Sequence, residues 1–525
     1  MPSLDVSELN IVLAILGTFI VLYGIISVKI KQRWYLGEAL PAVAIGVVLG
    51  PIAAKFLDSE RWGSAERGQT SEITLGVTRV MIGLQLVIAG YQLPAKYNLT
   101  RWKEMTICLL PVMTIMWLCT TLCIMATVPK LTLLAALVIG SCVTCTDPIL
   151  SQAIAKGPFA DKYVARPLRE LISSEAGAND GFGFPFLMLA VYLIRYADIP
   201  RAGGVGVAMK NWFLETWLYI VLLSVLYGAV VGYGSCKAIK FALRRKWIDG
   251  ESYLLFPAAL GMFLVGTCGA IGTDDLLACF VAGNALNWDG RYLEETENRH
   301  DEVNSCIDVL LNFGLTYGRL FLLGFMVLIF RRIPSILITY KLMPDVVKNW
   351  KEALFMGYFG PIGAGAVFYL EHTRHLFPKP GEGDREETEL MRAIGPVVYW
   401  LVLFSIVFHG LSIPALNLIY SYMGVKPIRD DAVEIRRVSM RVATPTNAVP
   451  GDRSTFIAYN RFSRPIFDPS TLPVTKESFE SMDNDWSGNN YLKDAKGFPP
   501  ENEYKWKLNP STNPDKGGPR IRYAE

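Results

Sequence analysis

Twelve apolar stretches, each about as long as a bilayer is thick, limit what this chain can fold into. They fall at roughly 11 to 30, 38 to 56, 73 to 91, 106 to 127, 131 to 154, 172 to 194, 212 to 235, 252 to 268, 271 to 286, 306 to 330, 353 to 370 and 395 to 420. About 20 apolar residues are what one helix needs to cross the hydrocarbon core. Backbone polar groups find no water there and must bond within the segment, so an all-α, polytopic membrane fold follows. Composition agrees, with 51% of the 525 residues hydrophobic and 19% charged, against roughly 25% charged in soluble domains. The 51 Lys and Arg nearly balance the 48 Asp and Glu, so no nucleic-acid surface is expected. The nine cysteines lie in or beside apolar stretches, which argues against an extracellular disulfide framework. Cys142 and Cys145 lack the second pair or histidine that a zinc site needs.

The first run follows Asp5 and Glu8, with no basic segment before it and no small-residue cleavage site, and reads as a retained span. From about Gly424 the chain turns rich in Pro, Asn, Asp, Ser and Arg, with no long apolar run. We therefore read 1–424 as a transmembrane domain and 425–525 as a polar, disordered cytoplasmic tail open to regulators or kinases.

Loop charge sets orientation, because Lys and Arg resist translocation. Clusters at Lys29/Lys31/Arg33, Lys96/Arg101/Lys103, Lys156/Lys162/Arg166/Arg169 and Lys237/Lys240/Arg244/Arg245/Lys246 follow every second stretch and face the cytoplasm if the N-terminus is outside. The alternation fails after the tenth stretch, where Arg331, Arg332 and the basic start of the tail fall outside. One further crossing between about Asn312 and Gly318 restores it. Asn98-Leu99-Thr100 matches a glycosylation sequon but lies on the cytoplasmic side by this pattern and is expected to be inert.

Ionisable groups inside apolar helices are costly and are kept mainly for function or mutual pairing. Thr146-Asp147-Pro148 puts an acid and a proline inside the fifth stretch; Pro148 has no N–H and clashes with the preceding turn, so the helix breaks there and frees carbonyls. Freed carbonyls and a carboxylate suit a cation, although Asp147 as a plain cap on a kinked helix is the competing reading. The eleventh stretch carries Phe359-Gly360-Pro361-Ile362-Gly363-Ala364-Gly365, too rich in glycine for a continuous span. Two such interruptions in related halves are the mark of a transporter with crossed half-helices. In the sixth stretch, Glu175 and Asn179 share a helix face while Asp180 is turned about 100° away. A carboxyl taken out of water without a fixed cationic partner holds its proton more tightly and can trade it for an alkali cation, which makes Asp180 the primary ligand candidate. Arg332 reads either as the partner of Glu175 or as an interfacial arginine beside Arg331. Asp274 and Asp275 precede an apolar run and look equally like an N-cap with an acidic first turn. His409 is a minor candidate for pH sensing.

At these residues the sequence resembles the fungal plasma-membrane alkali-metal-cation/H⁺ antiporters, within the wider sodium/proton exchanger superfamily. The resemblance runs over about residues 10 to 425 and rests on Thr146-Asp147-Pro148, Glu175 to Asp180, Gly272 to Asn284, Arg331-Arg332-Ile333-Pro334, Phe359 to Gly365 and His409-Gly410-Leu411-Ser412. It implies inverted repeats, a mobile core and a scaffold domain, a homodimer, and exchange of Na⁺, with Li⁺ or K⁺, against H⁺. By the same resemblance Asp180 is the alternately protonated and cation-bound acid, supported by Asn179, with Asp147 and Thr146 completing the site. Glu175 and Arg332 are a structural ion pair, and Asp274 and Asp275 are ion-path acids. No cofactor and no enzymatic step are implied. Ala176 stands where exchangers commonly carry serine, and Gln92 where the fungal pattern has glutamate. Members also carry further residues between Gly314 and Thr316, giving thirteen spans where twelve are visible here. The other readings are a transport-impaired splice or gene-model variant acting as a membrane sensor and, more remotely, an intramembrane aspartyl protease. The protease's G-x-G-D matches Gly381-Glu382-Gly383-Asp384, in a polar loop.

Overall fold

Each of the twelve apolar stretches carries a helix, as the need to bond every backbone group internally requires. The computed structural model describes residues 8–29, 39–50, 54, 69–129, 131–148, 151, 155, 158–196, 204–245, 247–248, 250–293, 318–378, 383–426, 433–436 and 455–458, all within one contact unit, Met1–Ile466. The principal helices are α1 (Glu8–Lys29), α2 (Ala39–Leu49), α3 (Gln69–Tyr91), α4 (Trp102–Thr127), α5 (Leu133–Cys142), α6 (Arg166–Tyr196), α7 (Gly204–Arg245) and α8 (Gly250–Ile271). They continue with α9 (Asp275–Leu286), α10 (Gly318–Phe330), α11 (Ile333–Thr339), α12 (Trp350–Tyr358), α13 (Ala364–Leu376) and α14 (Arg385–Tyr422). Among the described residues, seven helices are long and apolar enough to cross a membrane, counting α10 and α11 as one span, Leu320–Leu342.

Leu222, Leu226 and Val230 of α7 and Leu118 and Leu122 of α4 point outward and are exposed. A bilayer solvates such faces, whereas water would not. Between helices, small residues permit close approach in place of a hydrophobic driving force. The short α9 is held between α3 and α7 in this way: Gly283 lies on the Val87 backbone, and Gly232 on that of Ala282. One packed group is thus α3, α7, α8 and α9, and α13 packs against α3, α5 and α14.

Two sequence readings change. The tenth stretch was bounded at residue 330, with Arg331 and Arg332 at a membrane edge. Instead the span runs on to Leu342, and both arginines lie buried in its interior, between α10 and α11. Two charges interrupt the apolar run, but each has buried partners: Glu175 for Arg332 and three backbone carbonyls for Arg331. The residues proposed to hold a missing crossing, up to Tyr317, lie outside the described residues. Among the described residues, the polar stretch after residue 424 holds an antiparallel ribbon, Val433–Arg436 with Thr455–Ala458, in register Val433 to Ala458; each segment is short and rich in β-branched or aromatic residues.

Asp384, the acid of the protease-like tetrapeptide, is exposed and caps α14, accepting from Glu387 N at 2.8 Å. It is spent on a helix terminus and is no buried catalytic acid. Asn98 of the sequon accepts a hydrogen bond from the Ser174 hydroxyl at 2.8 Å.

Candidate cation-binding site at the crossed helix breaks

The two interruptions read from the sequence meet. Helix α5 starts on Thr132, whose hydroxyl accepts from Ala135 N, and unwinds over Val143 to Asp147, where Pro148 offers no N–H to continue it. The chain turns helical again as Ser151 N bonds Asp147 O at 3.0 Å. Helix α12 ends at Tyr358, and α13 begins only at Ala364. Across the crossing, Asp147 N donates to Pro361 O at 2.9 Å, and Ala364 N donates to Asp147 Oδ2 at 2.8 Å. The Asp147 carboxylate therefore sits on the positive N-terminus of α13, where a helix dipole favours an anion.

The negative ends are matched by a residue that sequence reasoning passed over. Arg331 is buried, and its guanidinium donates to Gly360 O at 2.7 Å, Thr144 O at 3.0 Å and Cys145 O at 2.9 Å. One cation thus satisfies orphan carbonyls of both broken helices. Its Nε has no partner among the described residues, and Arg331 is among the residues lining a cavity of about 20 Å³, room for one water. The available signal was two adjacent arginines inside an apolar run, which an interfacial reading explained away.

Arg332 resolves the open choice about its partner. Its Nη1 and Nη2 donate to Glu175 Oε1 and Oε2 at 2.7 and 2.5 Å, and its Nε to Met356 O at 3.1 Å. Both side chains are buried. The forked geometry matches guanidinium to carboxylate with both oxygens engaged.

Asn179 locks α6 to the first break, accepting from Thr146 N at 3.1 Å through Oδ1 and donating to Thr146 Oγ1 at 2.8 Å through Nδ2. Asp180, the next residue, is fully buried, and neither carboxylate oxygen accepts a hydrogen bond among the described residues. Two further acids, Asp147 and Asp274, act on it through space. Its backbone carbonyl is fixed by the Tyr369 hydroxyl at 2.6 Å. A buried acid without donors costs several kcal/mol when charged, so this position is built for an occupant, either a proton or a cation.

Glycine makes the acids reachable. A β-carbon at Gly365 would overlap Asp180 Oδ1, and one at Gly363 would overlap Asp147 Oδ2. Gly363→Ala and Gly365→Ala are each expected to destabilise the protein by about 1–3 kcal/mol through overpacking, read as a lowered melting temperature in detergent. An unchanged melting temperature for both would refute the close approach.

The remaining candidates separate. Asp274 caps α9, its Oδ1 accepting from Leu277 N at 3.0 Å, while its Oδ2 has no partner among the described residues. Gly181 lies against the Leu277 backbone, so the first turn of α9 opens beside Asp180. Asp275 instead accepts from Arg79 Nε on α3, and Arg79 also reaches Val265 O at 3.1 Å. His409 lies between Ser405 O and Tyr358 O, each 2.9 Å from a ring nitrogen, and Ser405 Oγ accepts from Ile362 N at 2.7 Å. It therefore buttresses the second break and does not line the acid cluster.

The family model for the sodium/hydrogen exchanger, transmembrane, matches residues 15–418. The chain is 35% identical to Na⁺/H⁺ antiporter 2 of Zygosaccharomyces rouxii and 34% identical to a Na⁺/H⁺ antiporter of Saccharomyces cerevisiae, covering 79% of this chain and 54% and 44% of theirs. It spans about half the length of these relatives. A Na⁺/H⁺ antiporter of Schizosaccharomyces pombe is 31% identical, covering 79% of this chain and 91% of its own. Among solved structures, the sodium proton antiporter MjNhaP1 from Methanocaldococcus jannaschii shares the fold, with TM-score 0.53 at 15% identity over 79% of this chain and 97% of that one. On a family match that covers most of its length, and on relatives above 30% identity, this chain belongs to the sodium/hydrogen exchanger family.

Proposed function

We propose that the protein exchanges Na⁺, and with it Li⁺ or K⁺, for H⁺ across the plasma membrane by alternating access at one carboxylate. The observation that carries this reading is Asp180, fully buried where two broken helices cross, with both oxygens unpartnered among the described residues. Asp180 binds a proton or a dehydrated cation, never both, and that exclusion couples the two fluxes. Asp147 and Thr146 complete the ligand set from the first break, and Asn179 holds Thr146 to α6. Glu175 and Arg332 form a neutral internal pair that keeps α6 against the span formed by α10 and α11 without competing for the ion. Asp274 presents an oxygen on the path to Asp180, with Asp275 held by Arg79 behind it. In this reading residues 1–424 form the exchanger domain, which acts as a homodimer of core and scaffold parts, and residues 425–525 lie on the cytoplasmic side as a regulatory tail. Cation export, salt tolerance and pH homeostasis are the consequences for a cell.

The test is purified protein in proteoliposomes with an acid interior. External Na⁺ is expected to dissipate the pH gradient, and where proton and cation compete, the Na⁺ concentration for half-maximal flux rises about tenfold per unit fall in pH by mass action. Li⁺ and K⁺ in turn give the selectivity. No response to any of the three at any pH would overturn exchange.

A further inference from the structure

One buried acid takes no part in the exchange just described. Glu371 of α13 is 1% exposed and is the reverse of Asp180 in its surroundings. Its Oε1 accepts from the Tyr399 hydroxyl at 2.6 Å and from Arg374 Nη1 at 2.8 Å, and its Oε2 accepts from the Ser71 hydroxyl. Arg374 also lies 5.9 Å over the Tyr399 ring. Three donors from three helices converge on one carboxylate, and one of them, Arg374, supplies the opposite charge, so it needs neither a bound metal cation nor a proton to be buried. Ser71 belongs to α3, in the group packed with α8 and α9, whereas Tyr399 belongs to α14, which packs against α13.

Helix α13 connects this cluster to the ion site. Its first N–H, at Ala364, bonds Asp147, and Gly365 lies on Asp180. Glu371 is two turns further along, about 10 Å at 1.5 Å per residue. A two-turn helix segment transmits displacement as a rigid rod, so whatever fixes Glu371 fixes the N–H groups and glycines facing the acids.

We propose that Glu371 is a positioning residue for cation binding: through Ser71, Tyr399 and Arg374 it sets how closely the N-terminus of α13 is pressed onto Asp147 and Asp180. The Ser71 bond is the adjustable member, since of the three donors it is the one contributed by α3. The inference rests on the exchange reading above.

The test uses single-atom deletions that leave the buried charge pair in place. Ser71→Ala and Tyr399→Phe in the full chain are expected to raise the half-maximal Na⁺ concentration about three- to tenfold, with maximal flux within about twofold of the parent. Ser71→Thr, which restores a hydroxyl, is expected to return the midpoint. A purely structural cluster would instead lower maximal flux and folded yield together, with the midpoint unchanged, and that result refutes the proposal. Na⁺-dependent thermal stabilisation in detergent provides a second midpoint that does not require transport. If the parent shows neither flux nor Na⁺ stabilisation, the exchange reading fails and the clamp falls with it. If the parent responds and the variants keep its midpoint by both measures, the clamp alone is refuted.

Discussion

Asp180→Asn is expected to reduce Na⁺-driven proton movement in proteoliposomes to the level of protein-free vesicles, without loss of fold. The carboxylate is fully buried and none of its oxygens accepts a hydrogen bond among the described residues. An amide of the same shape removes the charge that the site must desolvate, so the melting temperature should hold or rise. Residues retained for function at a cost in stability behave in this way. Na⁺ at about 100 times its dissociation constant should stabilise the parent by about 2.7 kcal/mol, and this gain should vanish in the variant. Parent-like flux from folded Asp180→Asn protein would sink the assignment of Asp180 as the exchanging group.

Arg332→Met is expected to have the largest effect on folding. It leaves Glu175 buried and charged without its two guanidinium bonds, a situation that costs about 3–5 kcal/mol when one partner of a buried pair is removed. Folded yield after detergent extraction should fall sharply. Arg332→Lys should rescue poorly, because an ammonium cannot supply two parallel bonds to one carboxylate. The double variant Glu175→Gln/Arg332→Met should recover most of the yield, since no charge is then stranded. If the double variant is no better than Arg332→Met, the pair does not act as a unit and the loss arises from packing around Arg332.

Much of the site was legible because the bilayer makes local chemistry conspicuous. Asp147 with Pro148, the acids of the sixth stretch and the glycines around Pro361 stand out in apolar sequence, and all meet at one crossing. Arg331 was misread for the same reason that the tenth stretch was cut short. Two adjacent charges usually end a span, and only their partners, three backbone carbonyls for Arg331 and Glu175 for Arg332, make an interior position affordable. Glu371 was not singled out at all. It stands near the polar end of an apolar run, in Glu371-His372-Thr373-Arg374, where a solvated face is the ordinary expectation.

The sequence by itself determined the helical membrane fold and the two breaks, and it singled out Asp180 as the candidate for the exchanging acid. Each of these follows from rules that act within a turn or two of chain: apolar length, a proline without its N–H, and a charge in an apolar run. The tertiary structure decided which charges are satisfied and which are left open. Arg332 finds Glu175 across 157 residues, Ser71 finds Glu371 across 300, and Arg79 finds Asp275 across 196. Pairings over such separations leave no periodic trace in a single sequence, because they depend on which helix faces pack together. That packing leaves Asp180 without a hydrogen-bond partner among the described residues, which the sequence could suggest but not establish.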